Sequence, residues 1–147
     1  MNILIIDEST NFDDYYREIE KQFQNKNFLT KVQRFYSLKL AKQKIFIEQE
    51  EKCYTNIHFL YTNLVLMDIC YPKCQGKRFI NGFEFYLKLK ENFSDVKCVL
   101  FKYNSVIPSS IMVEISKNGD FILQKNKISI EDFTSIITNI FLSRRNN

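Results

Sequence analysis

Four residues of this chain have types and placements that could do chemistry together: Asp7, Glu8, Asp68 and Lys125. Each closes a short, strand-like run. Residues 3–6 (Ile-Leu-Ile-Ile) lead into Asp7-Glu8, residues 64–67 (Leu-Val-Leu-Met) into Asp68, and residues 120–124 into Lys125. Carboxylates gathered in one crevice repel one another, and each has its pKa raised unless something compensates. A hard divalent cation does so, and magnesium (Mg2+) favours a few carboxylate oxygens together with water and phosphate oxygens. A lysine across the crevice adds a compact positive charge suited to a phosphoryl oxygen. Such a set fits transfer of a phosphoryl group to a carboxylate, with an aspartate as nucleophile and the metal and lysine neutralising the transferred group. Singly, each residue has a plainer use: Asp7-Glu8 as an acidic helix entry, Asp68 as a turn former, Lys125 as a surface lysine. Their conjunction at three separate strand ends is what points to a site.

Those residues meet only if the strands run the same way. An unbroken apolar run such as residues 64–67 is typical of a strand buried on both faces, as in a parallel sheet. Phe12, Tyr16, Ile19 and Phe23 recur at helical spacing, with Thr10 and Asp13 resembling a capping box. Residues 28–35 alternate loosely and read as a strand near an edge. Leu38, Ala41 and Ile45 mark a second helix; residues 53–62 either prolong it or form a loop. Residues 70–81 read as an irregular loop containing Pro72 and Gly76 and ending in Asn81-Gly82. Phe83, Tyr86, Leu87 and Leu89 stripe a third helix, residues 96–101 form a fourth strand, and Ile107, Ile111 and Ile115 mark a fourth helix. Asn118-Gly119 makes a turn into strand five. Ser129 caps a closing helix carrying Ile130, Phe133, Ile136, Ile137 and Ile140. Five strands alternating with five helices predict an α/β three-layer sandwich around a parallel sheet with right-handed crossovers. Both strand orders open to such a chain place a crevice above the carboxyl ends of central strands.

The composition narrows the function classes. With 147 residues, 45% hydrophobic and 26% charged, the chain fits one domain spanning residues 1–147. A net charge of +4 without a basic stripe gives no nucleic-acid footprint, and Arg144-Arg145 is too short for a basic arm. No apolar run reaches membrane-span length, and the first residues are strand-like with no charged leader, so a cytoplasmic protein is expected. Cys53, Cys70, Cys74 and Cys98 match no zinc spacing and His58 is the only histidine, so reduced, non-liganding thiols are expected. No glycine-rich nucleotide loop is present, and a dehalogenase-type phosphatase would need a second aspartate where Cys70 stands. Substrate turnover is therefore not expected.

The chain resembles a response-regulator receiver domain of two-component signalling, the single-domain type. Residues 3–8 resemble its first strand and acidic pair, and residues 64–72 its phosphoacceptor strand with a proline four residues after the aspartate. Asn81-Gly82-Phe83 resembles its third-helix entry, and residues 118–125 its glycine-to-lysine fifth strand. The resemblance implies a flavodoxin-like fold with strand order 2-1-3-4-5. It implies phosphorylation of Asp68 by a sensor histidine kinase or phosphotransfer protein, with Lys125 binding the phosphoryl group. It also implies magnesium held by Asp7 or Glu8, by Asp68 and by the backbone carbonyl of Cys70. With no output domain after the fifth helix, the signal would pass to a downstream protein by contact, and any catalysis would be self-phosphorylation and self-dephosphorylation.

The sequence departs from that family pattern at several points. Glu8 stands where an aspartate is usual. The hydroxyl residue expected at the end of strand four is replaced by Phe101, Lys102 or Tyr103, depending on register, with Ser105 too late; Lys102 would supply a charge instead. Ile122 takes an aromatic position and Asn126 a proline position. These departures motivate a second reading, a degenerate receiver that binds its partner independently of phosphorylation.

Overall fold

The structure, a computed structural model, describes residues 2–25, 31–47, 64–69, 81–103 and 106–142. The loop at 70–80 with Cys70, Pro72 and Gly76, the segment 53–62, His58, Cys53, Cys74 and Ser105 lie outside these residues. Five strands, β1 (Asn2–Ile6), β2 (Lys31–Phe35), β3 (Leu64–Asp68), β4 (Lys97–Lys102) and β5 (Phe121–Gln124), form one sheet in the order β2-β1-β3-β4-β5. Every neighbouring pair is parallel. This is the flavodoxin-like order.

Successive strand residues point to opposite faces, and both faces are covered. Leu4, Ile6, Val65, Met67, Cys98 and Leu100 pack on one side with Leu38, Ala41, Phe85, Tyr86, Leu89 and Ile115. Ile3, Ile5, Leu64, Leu66, Val99 and Phe101 pack on the other with Tyr16, Ile19, Phe23, Phe133 and Ile137. The first layer comes from α2 (Leu38–Lys42), α3 (Asn81–Asn92) and α4 (Ser109–Lys117); the second comes from α1 (Asp13–Asn25) and α5 (Ile130–Leu142). Double coverage explains why β1, β3 and β4 lack the alternation of a half-solvated strand. Edge strand β2 does alternate, with half-buried Val32 and Arg34 following exposed Lys31 and Gln33.

The helix starts show which local signals decide. α1 begins later than its apolar stripe suggests, because a 3-10 turn (Thr10–Phe12) precedes it. The cap is Ser9, whose side chain accepts from the Asn11 N–H, so the Thr10/Asp13 capping box expected from sequence is not what starts this helix. Ser37 caps α2 by accepting from the Leu40 N–H, and α2 runs on into a π turn (Gln43–Ile47). Ser129 caps α5 as expected, its Oγ accepting from the Asp132 N–H at 3.0 Å. Gly119 turns the chain into β5 with φ of 64°, a conformation glycine reaches without a Cβ clash.

The parallel register aligns the carboxyl ends. β3 and β4 pair so that Asp68 sits opposite Phe101. β2 lies to one side of β1 while β3, β4 and β5 lie to the other, so strand order reverses beside β1. Ligands of open α/β sheets bind in the crevice above this reversal.

Candidate functional site

Asp7 follows β1, Asp68 ends β3 and Lys125 follows β5, so all three reach the same sheet edge. The Lys125 Nζ donates to Asp7 Oδ2 at 2.8 Å and to Asp68 Oδ1 at 2.8 Å. The Asp7 side chain is 0% exposed, that of Lys125 4% and that of Asp68 18%. A lysine this buried must be paired to remain charged, and here one ammonium serves two carboxylates. It also lies 4.5 Å from the Phe12 ring centroid and 5.7 Å from that of Phe101.

Asp7 is held from within the fold. Its Oδ1 accepts from the Ser9 N–H at 2.8 Å. Its Oδ2 accepts from the Tyr16 hydroxyl at 2.6 Å, alongside Lys125. The Asp7 N–H donates to the Phe35 carbonyl at 3.0 Å, tying the end of β1 to β2. Tyr16 is buried, and its burial and the nearby Asp7 charge push its hydroxyl pKa far up, so it keeps its proton and donates.

Asp68 is the more exposed carboxylate of the pair. Burial raises its carboxyl from 3.8 to about 7; the Lys125 ammonium pulls it down and the Asp7 charge pushes it up. Such a carboxylate is short of positive charge. A hard cation that prefers carboxylate oxygens fits that deficit. Asp7 and Asp68 are the described side chains that face it, since both already turn towards one cation. Glu8 is exposed, and among the described residues no three carboxylate, histidine or cysteine side chains form a metal-sized cluster. Among the described residues the carboxylates bound to Lys125 are Asp7 and Asp68, and Glu8, the third carboxylate of the sequence reading, is exposed beside them. The Cys70 carbonyl lies outside the described residues.

The end of β4 is resolved by register. Phe101 is buried and pairs with Asp68, which leaves Lys102 as the next residue, half-buried and on the opposite face of the strand. Among the described residues the Lys102 side chain forms no hydrogen bond or ion pair, while its backbone pairs with Gln124. Ile122 pairs with Leu100 and packs into the core, while Phe121 is exposed.

Two side chains matter here that sequence reasoning passed over, together with a glycine that it placed at a helix entry. Tyr16 reads as one more member of the α1 apolar stripe, yet its hydroxyl must find a partner once buried. Arg34, inside β2, pairs with Asp13, donates to the Ser9 carbonyl at 2.9 Å, and places its guanidinium 5.2 Å from the Tyr16 ring centroid. Gly82, at the start of α3, lets that helix touch the strand end that carries Asp68. A Cβ there would lie 2.1 Å from the Asp68 carbonyl oxygen and 2.8 Å from the Ile69 Cα.

No protein-family model matches the sequence, and no curated protein sequence does either. Solved structures do match over nearly the whole chain. A receiver domain from Rhodospirillum rubrum superposes with a TM-score of 0.59 at 17% identity, covering 97% of this chain and 94% of that one. The fold is that of a response-regulator receiver domain. A BeF3-activated DrrB receiver domain gives 0.58 at 16% identity, covering 95% and 96% of the two chains. An orphan response regulator of H. pylori gives 0.57 at 19% identity, covering 95% and 94%. The receiver fold thus accounts for the strand order and for the edge on which Asp7, Asp68 and Lys125 converge. No helix among the described residues is long and apolar enough to cross a membrane.

Proposed function

We propose that this chain is a two-component receiver that accepts a phosphoryl group on Asp68 from a sensor histidine kinase or phosphotransfer protein and signals through contact with a downstream protein. The observation that carries this reading is the Lys125 ammonium bridging Asp7 and Asp68 at 2.8 Å each, at the carboxyl edge of a receiver fold. In the transfer, an Asp68 oxygen forms a bond to phosphorus as the bond from phosphorus to the donor's nitrogen breaks. Asp68 must be ionised to attack, and Lys125 favours that form. Once Asp68 carries the phosphoryl group, Lys125 is within reach of its oxygens and remains anchored by Asp7. Magnesium would be held by Asp68, by Asp7 or Glu8, and by the Cys70 carbonyl, and when bound it neutralises charge on the transferred group. The chain modifies itself and turns over no separate substrate.

A second reading is favoured by one feature. No hydroxyl side chain stands at Phe101 or Lys102, and Ile122 is packed in the core, so a phosphoryl group would meet a different readout surface. Under that reading the chain binds its partner whether or not Asp68 is modified.

Incubation with magnesium and a small-molecule phosphodonor, followed by intact mass measurement, tests the first reading. One phosphoryl adduct is expected on the wild type and none on Asp68→Asn. Absence of an adduct on the wild type, under conditions that label an ordinary receiver, would favour the second.

A further inference from the structure

We infer that Tyr16 is a positioning residue for the cation of this site, acting through Asp7; this deepens the phosphoacceptor reading and rests on it. Asp7 is the completely buried member of the carboxylate pair, and a carboxylate can turn about its last torsion unless both oxygens are engaged. Here the Ser9 N–H fixes Oδ1 at 2.8 Å, and the Tyr16 hydroxyl fixes Oδ2 at 2.6 Å beside Lys125. The hydroxyl arrives from α1, a different element from the one carrying Asp7.

Tyr16 is itself held on three sides. Its ring meets Phe133 edge-on with centroids 6.2 Å apart, Arg34 covers it at 5.2 Å, and α1 supplies its backbone. Arg34 also grips the two ends of the turn between β1 and α1, through the Ser9 carbonyl and Asp13. The ring therefore cannot follow Asp7 if Asp7 moves; it dictates where Asp7 sits. Partners that orient a metal-binding group from behind typically matter 10–100-fold for affinity or activity. Replacing the hydroxyl with hydrogen leaves ring packing intact and removes only the bond to Asp7.

The test is a magnesium-binding isotherm of the full chain, followed through backbone amide shifts, for wild type, Tyr16→Phe and Asp68→Asn. Thermal unfolding is measured alongside. The expected result is magnesium affinity weakened about tenfold in Tyr16→Phe, with shifts confined to the site and a folded spectrum. A folded Tyr16→Phe that binds magnesium as tightly as wild type overturns the inference and leaves the phosphoacceptor reading standing. A wild type that binds no magnesium overturns both. Should Tyr16→Phe fail to fold, the wild type decides: a slowly exchanging Tyr16 hydroxyl proton whose resonance moves on magnesium addition supports the inference, and one that does not move overturns it.

Discussion

The two ends of the sheet contain nearly the same buried kit, an aspartate, a lysine and a tyrosine, arranged to different effect. At the amino edge, Asp120 Oδ2 accepts from the Tyr86 hydroxyl at 2.9 Å and lies 3.1 Å from Lys90 Nζ, while Oδ1 accepts from the Cys98 N–H at 2.9 Å. Lys90 also donates to the Val96 and Ser94 carbonyls at 2.8 and 3.0 Å, so its ammonium has three oxygens around it. Asn118 completes the cluster by donating to the Tyr86 oxygen at 2.8 Å. One carboxylate meets one ammonium, and the groups are mutually satisfied. At the carboxyl edge, two carboxylates share Lys125, and Asp68 remains partly open with its carboxyl raised to about 7. The same residue types make a rivet where charges balance and leave a carboxylate short of positive charge where they do not.

The two edges should differ most in phosphoryl chemistry. Asp68→Asn should abolish phosphoryl adduct formation, while Asp120→Asn, if the fold persists, should leave it intact; intact mass reads both. The next effect is on stability. Asp120→Ala removes the carboxylate that faces the buried Lys90 charge, and should cost about 3–5 kcal/mol in urea unfolding.

Gly82→Ala probes the element that joins the two clusters, since α3 touches Asp68 at its start and carries Tyr86 and Lys90 towards Asp120. Overpacking against backbone should destabilise by about 3 kcal/mol and shift amide resonances at both edges. Shifts confined to one edge would show that the clusters are independent.

The smallest effect is one of pH. Folding raises the Asp68 carboxyl, so the folded chain keeps a proton that the unfolded chain releases. The associated stabilisation is full below 3.8 and lost as the pH rises through about 7. Without added magnesium, wild-type stability should therefore fall over this window. Asp68→Asn should flatten that dependence and be more stable than wild type at pH 8 by on the order of 2 kcal/mol. Lys125 retains Asp7 in that variant, so no buried cation is stranded.

Most of the architecture was legible because it depends on periodicity. Apolar runs without alternation announced strands covered on both faces, and helical stripes lay between them. Asp7, Asp68 and Lys125 could be grouped because a parallel sheet forces its strand ends to one edge. What was not legible depends on side-chain direction and close approach. Nothing in the spacing of Phe12, Tyr16, Ile19 and Phe23 says that Tyr16 sends its hydroxyl to Asp7. Glu8 follows Asp7 directly, yet one residue separates a fully buried carboxylate from an exposed one. Gly82 stood at a helix entry by sequence, but nothing in its spacing says that a Cβ there would meet the Asp68 carbonyl oxygen. The Ser9 cap displaced the capping box because a 3-10 turn delays α1, a choice that local sequence leaves open.

Lys125 and Asp7 are 118 residues apart in the chain and meet through a hydrogen bond of 2.8 Å. During synthesis, β1 and β3 emerge well before the lysine that balances their carboxylates. Contacts of such long range form late and slowly, because loop closure precedes any gain from them. Until β5 docks, Asp7 and Asp68 face each other without their shared cation, which disfavours their burial. Under the proposed function, the ability to accept a phosphoryl group would therefore arrive with β5, and a labelled Asp68 would report that β5 had docked.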